Sequence, residues 1–157
     1  MLADPTGRKW YDLIQSGQGA AAAMDIVTQF AAGTFPKALM LDPENPAFKS
    51  TWEQIIDAAE DANDPGSFTA FIGHEWTSLV APGSNMHRNI IYRDSGDVAR
   101  QMLPYTTQPP FGGNNPRDLW KWMETYEEKT GGDILATAHN GNLSNGIMFP
   151  IKESFDG

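Results

Sequence analysis

"NPRDLWKWMETYEEKTGGDILATAHN", Asn115 to Asn140, decides the fold class. Asn115 has a side chain suited to a helix N-cap, and Pro116 suits the first helical position, where its missing N–H has no intrahelical role. Leu119, Trp120, Met123 and Tyr126 then recur at helical spacing. They predict a helix through about Lys129 with these four side chains facing inward. Gly131 and Gly132 end it. "DILATAHN", Asp133 to Asn140, follows at once and reads as a buried strand.

Working back from this pair, "SFTAFIGHEWTS" (Ser67 to Ser78) and "HRNIIYR" (His87 to Arg93) are the other two strand-like stretches, separated by turn chemistry in "APGS" (Ala81 to Ser84). The order strand, strand, helix, strand predicts a parallel crossover and therefore an α/β class. Three helices precede it. Arg8 to Gln15 carries Trp10, Leu13 and Ile14. Ala20 to Phe30 is alanine-rich, with Met24, Val27 and Phe30 on one face. A third opens at Asn45 and Pro46 and lays out Phe48, Trp52, Ile55, Ile56 and Ala59 as one apolar stripe. "GTFPKALMLDPENP" (Gly33 to Pro46) reads as irregular chain. Residues 1–66 are thus a helical lead-in, and 67–157 hold the strands and the helix between them, all within one domain.

The 157 residues carry a net charge of −9, from 20 acidic and 11 basic side chains. Nucleic acid is a poor partner for such a surface, because no basic patch is dense enough to neutralise a phosphate backbone. The absence of cysteine excludes disulfides, thiolate zinc sites and thiol nucleophiles. No apolar run approaches the roughly 20 residues of a membrane span. No basic region followed by an apolar core marks the N-terminus as a signal peptide.

The chain has three histidines. Glu75 falls at the C-terminal end of the first strand and His139 at the C-terminal end of the third. If these strands run parallel and the second returns antiparallel after the turn, His87, at the start of the second, shares their rim. One carboxylate and two imidazoles suit Zn²⁺, Mn²⁺ or Fe²⁺, with positions left open for water. Asn140 and Asn142 could orient ligands or contact substrate, and Arg88 could meet a substrate anion. The plainer alternative is that Glu75 pairs with Arg88 and the histidines cap strand ends. His74 alternates to the face opposite Glu75, which makes it a structural residue. "HEWTS" is not the zincin helix motif, since Ser78 stands where its second histidine would be, and "GQGAAA" from Gly17 has no strand before it, as a dinucleotide fingerprint requires. The "NLS" triplet at Asn142 is a formal glycosylation acceptor of a kind common by chance. Of Trp120 and Trp122, which could stack on a sugar, at least one belongs to the core.

"FIGHEWTS", "NMHRNIIYR" and "ILATAHNGNLSNGIMF", in this order, resemble the DUF3604 family, which is itself similar to the PHP (polymerase and histidinol phosphatase-like) metallohydrolases. "ALMLDPENP" resembles the family's helical lead-in. The resemblance implies a partial, distorted (β/α) barrel, several divalent metals at its C-terminal rim, and hydrolysis of a small phosphoester. It implies that Glu75, His87 and His139 are metal ligands. The chain departs from the PHP pattern in lacking the opening H-x-H strand, the aspartate–histidine pair and the closing aspartate/histidine motif. On that comparison it looks like the middle of a longer protein, with no assignable general base, little activity of its own, and exposed strand edges open to self-association. The alternative is a non-catalytic module that binds a ligand or partner through the loops of a degenerate barrel.

Overall fold

The computed structural model describes residues 2–40, 43–80 and 83–149. Ala81 and Pro82 of the expected turn, and Leu41 and Asp42 of the irregular stretch, lie outside them. The chain divides into two compact units, Met1–Leu41 and Asp42–Gly157.

The first unit is a helical hairpin of α1 (Pro5–Gln15) and α2 (Gly19–Ala31). Asp4 caps α1, its Oδ1 accepting the N–H groups of Thr6 and Gly7, both at 2.9 Å. Trp10 is buried, stacks on Phe35 at 5.4 Å and donates its indole N–H to Asp25 at 2.8 Å. Lys9 reaches the same carboxylate at 2.9 Å. Met24, Val27 and Phe30 do share one face of α2, but it is the exposed face. Buried Ala22 and the Asp25 contacts turn the other side inward.

The second unit is built on a sheet ordered β1 (Ile72–Trp76), β4 (Arg88–Tyr92), β5 (Ile134–Ala138). Between β1 and β4 lies a separate hairpin, β2 (Leu79–Val80) with β3 (Ser84–Asn85). A short α4 (Gly96–Ala99) and the longer α5 (Pro116–Thr130) connect β4 to β5. α3 (Pro46–Ala62) precedes the sheet. Side chains alternate across a strand, and the burial of β4 follows that alternation: Arg88, Ile90 and Tyr92 are buried, while Asn89 is exposed. On the buried face, α3 brings Trp52 and Ile56, and α5 brings Leu119 and Tyr126, with Trp122 and Met123 beside them. These pack with Ile72, Trp76 and Ile134 into one core. Tyr92 sits at its centre, its ring 5.3 Å from Trp52 and 5.1 Å from Tyr126.

Both helix ends of α5 follow the sequence. The Asn115 side chain accepts from Arg117 N–H at 3.0 Å, and Gly131 takes the left-handed conformation (φ 70°) that closes the last turn. Gly132 then passes so close to Asp94 and Tyr126 that a Cβ would overlap the Asp94 carboxylate. That carboxylate accepts from Asp133 N–H at 2.7 Å and from the Tyr126 hydroxyl at 3.2 Å, which fixes where α5 hands over to β5.

Two expectations fail. The connection from β4 to β5 is not a parallel crossover, because β5 lies beside β4 and antiparallel to it, Arg88 facing Ala138 and Tyr92 facing Ile134. Nor is there a barrel, partial or otherwise. β1 and β5 each pair with β4 alone among the described strands, so the sheet stays open with an edge on either side, and the second sheet is a two-stranded hairpin. A helix between two strands indicates layers, but not which strand the returning one will join. β1 is also shorter than the stretch that predicts it. Asp64 and Phe68 exchange backbone hydrogen bonds of 2.9 and 2.8 Å in the turn after α3, which commits Ser67 and Phe68 to that turn. No helix among the described residues is long and apolar enough to cross a membrane.

Candidate metal centre

β1 and β5, each antiparallel to β4, run in the same direction on either side of it. Glu75 near the end of β1, His139 just after β5 and His87 just before β4 therefore meet at one end of the sheet, as the strand directions predict. Parity places all three on the face away from the helices. The register sets Glu75 beside Asn89, and Asn89 beside Thr137, in the row next to the histidines.

One donor atom from each of Glu75, His87 and His139 lies within 4.8 Å of the others. Glu75 Oε1 is 3.4 Å from His87 Nδ1 and 2.9 Å from His139 Nε2. The two rings are 6.0 Å apart and steeply inclined. Donors about 2.0–2.2 Å from a shared ion stand roughly 3–4 Å from one another, so these contacts are already near ligand spacing. The ring nitrogens supply a second indication. Nε2 of His87 and Nε2 of His139 are buried, and neither makes a hydrogen bond among the described residues. For His139 this holds despite the 2.9 Å approach of Glu75, because proximity alone does not meet the angular requirement of an N–H···O bond. Of the two nitrogens, His139 Nε2 faces the carboxylate and fits a cation that would take up its lone pair, whereas His87 meets the same carboxylate through its other nitrogen, Nδ1.

The surroundings hold these groups in place. Thr77 donates its hydroxyl to Glu75 Oε2 at 2.8 Å, leaving Oε1 toward the histidines. His139 N–H reaches His87 carbonyl at 3.4 Å. Directly after His139, Asn140 adopts a left-handed conformation (φ 56°), turning the chain into the 3₁₀ turn Gly141–Leu143. Asparagine tolerates that region better than other residues with a Cβ. Asn145 (φ 51°) repeats the device and donates its amide to Ser84 at 3.0 Å, tying this loop to β3.

Asn140 and Asn142 are exposed, on the turn that follows His139. Arg88 is not brought to it. The guanidinium is buried on the opposite face of β4, where Nη1 donates to Met86 carbonyl at 2.6 Å and Cζ lies 5.9 Å from the Trp76 ring. Burial lowers the pKa of Arg88 from its ordinary value. His74 likewise faces the core, ringed by Trp52, Tyr92 and Trp122, and burial pushes its imidazole down to about 4. Sequence reasoning missed Thr77 and Asn85. Both had a legible signal: each lies two residues from a candidate ligand, and Asn85 Oδ1 accepts from His87 N–H at 2.8 Å in an Asx turn.

The fold and the cluster together define an α/β protein with the capacity to hold a divalent metal ion. The chain belongs to the DUF3604 family, described as "Protein of unknown function (DUF3604)", whose family model matches residues 1–157. No curated protein and no solved structure matches it.

Proposed function

We propose that Glu75, His87 and His139 bind a divalent cation, Zn²⁺, Mn²⁺ or Fe²⁺, at the centre of a metal-dependent hydrolase acting on small phosphoesters. The convergence of the Glu75 carboxylate with His87 Nδ1 and His139 Nε2, the latter buried without a hydrogen bond, carries the reading. Three protein ligands with open positions are the pattern of catalytic rather than structural zinc sites. The cation supplies Lewis acidity, which makes water a nucleophile near neutral pH and polarises an ester oxygen. The resemblance of the DUF3604 family to PHP-type metallohydrolases supports the phosphoester.

The chain's own groups then divide the work. Glu75, steadied by Thr77, and the two histidines hold the cation. Asn140 and Asn142, exposed on the turn after β5, contact the substrate by hydrogen bonds. The row beside Glu75 continues with Asn89 and Thr137, neither of which acts as a base near neutral pH. The chain is therefore expected to hydrolyse an aryl phosphate slowly, and only with metal present. Calorimetric titration with Zn²⁺ and Mn²⁺ tests the first step, with one ion per chain and affinity weakened at least tenfold in Glu75→Gln as the expected result. Absence of binding sinks the reading. Binding without metal-dependent turnover of phosphoesters would leave a ligand-binding module.

A further inference from the structure

We propose that Asn85 and Arg88 clamp the Met86–His87 peptide and thereby aim the His87 imidazole at Glu75 and His139. Both polar ends of that peptide are held by flanking side chains. Its carbonyl, that of Met86, accepts from Arg88 Nη1 at 2.6 Å. Its N–H, that of His87, donates to Asn85 Oδ1 at 2.8 Å. Both clamping side chains are 5% exposed. Met86 and His87 lie between β3 and β4, belonging to neither. Met86 N–H is bonded to Ser78 carbonyl at 2.9 Å, so the chain is anchored just before the clamped peptide. Without the clamp, the link can rotate about the bonds flanking that peptide and swing the imidazole off its partners.

A bland account exists for each bond alone, since buried backbone groups are almost always paired. It does not account for the choice of partners. A buried guanidinium is ordinarily matched by a carboxylate. Arg88 instead gives Nη1 to the carbonyl directly before His87, and it is braced by Trp76, whose indole N–H is itself bonded to Gly113 carbonyl at 3.2 Å. Metal ligands tolerate only about 0.5 Å and 10–20° of error, and groups that orient a ligand typically change metal affinity by 10–100-fold. The consequence for metal rests on the binding reading above, whereas the aiming of His87 does not.

The test uses the full chain, isotope-labelled, in wild type, Asn85→Ala, Asn85→Ser and Arg88→Met. Amide exchange and side-chain couplings of His87 report its order, a Zn²⁺ titration followed by chemical shift reports affinity, and thermal melting confirms the fold. In Asn85→Ala the His87 amide is expected to exchange at least tenfold faster, its χ1 to average, and Zn²⁺ to bind about tenfold more weakly. Asn85→Ser, whose hydroxyl can accept the same bond, should recover most of both. Arg88→Met should reproduce the alanine phenotype, and if it fails to fold, the two Asn85 variants decide. An unchanged His87 in folded Asn85→Ala overturns the proposal, as does a disordered His87 that binds Zn²⁺ as tightly as wild type. If wild type binds no Zn²⁺ while Asn85→Ala disorders His87, the metal reading falls and the clamp stands.

Discussion

Acidification should destabilise the protein through His74, by an amount the structure sets. Its ring lies in an aromatic nest with Trp52 at 5.7 Å, Tyr92 at 5.9 Å and Trp122 at 6.1 Å, and its Nε2 is buried with no hydrogen-bond partner among the described residues. Nothing there compensates a positive charge, so burial depresses the pKa from 6.5 to about 4. A depressed histidine pKa means that the folded state prefers the neutral ring. Its contribution is fully present above the unfolded value, declines as pH falls below that value, and is gone below the folded one. Between pH 7 and pH 4.5 the linkage amounts to about 2 kcal/mol. Urea denaturation at both pH values, followed by tryptophan fluorescence, measures it in wild type and in His74→Phe. Every other titratable group is common to the two proteins, so the difference isolates His74. Asp25, held at about 2 by hydrogen bonds from Lys9, Trp10 and Gln29, contributes only below its ordinary value of 3.8, outside this window. Wild type should lose about 2 kcal/mol more than the variant. Equal losses would refute a buried neutral imidazole. At pH 7, His74→Phe should be mildly destabilising, since it takes from the buried Tyr92 hydroxyl its Nδ1 partner at 3.5 Å.

Further outcomes follow from other parts of the molecule. His139→Asn should weaken Zn²⁺ binding by more than the roughly 10–100-fold typical of groups behind the ligands. Asn140→Ala and Asn142→Ala should leave metal affinity intact, and normal Zn²⁺ affinity in His139→Asn would end its role as a ligand. Asp94→Ala removes the acceptor of both Asp133 N–H and the Tyr126 hydroxyl, and should lower stability by about 1–3 kcal/mol in chemical denaturation. Asp4→Ala should cost about 1 kcal/mol through the lost cap of α1, seen as earlier melting of helical circular dichroism. Gly112→Ala should be far more damaging than an average surface change, because its Cβ would overlap the Thr106 carbonyl.

The sequence by itself determined the local elements wherever periodicity and end signals agreed. Asn45–Pro46 and Asn115–Pro116 mark helix starts that the structure keeps, and Gly131 marks a stop, because capping depends on bonds within a few residues. The gathering of Glu75, His87 and His139 was also legible, since it needs only the strand directions and the rule that side chains alternate. The alternation likewise put His74 in the core. What only the tertiary structure decided is which strands pair and what lies beneath each side chain. The chain from β4 through α4 and α5 could have returned on either side of the sheet. The neighbour it joined, and hence an open antiparallel sheet instead of a barrel, follows from contacts between residues far apart in sequence, such as Asp94 with Asp133. Arg88 shows the same limit at one residue. Beside His87 in the sequence it looks like a partner of the site, but one step along a strand reverses the face, and the pleat turns its charge inward to Met86 and Trp76.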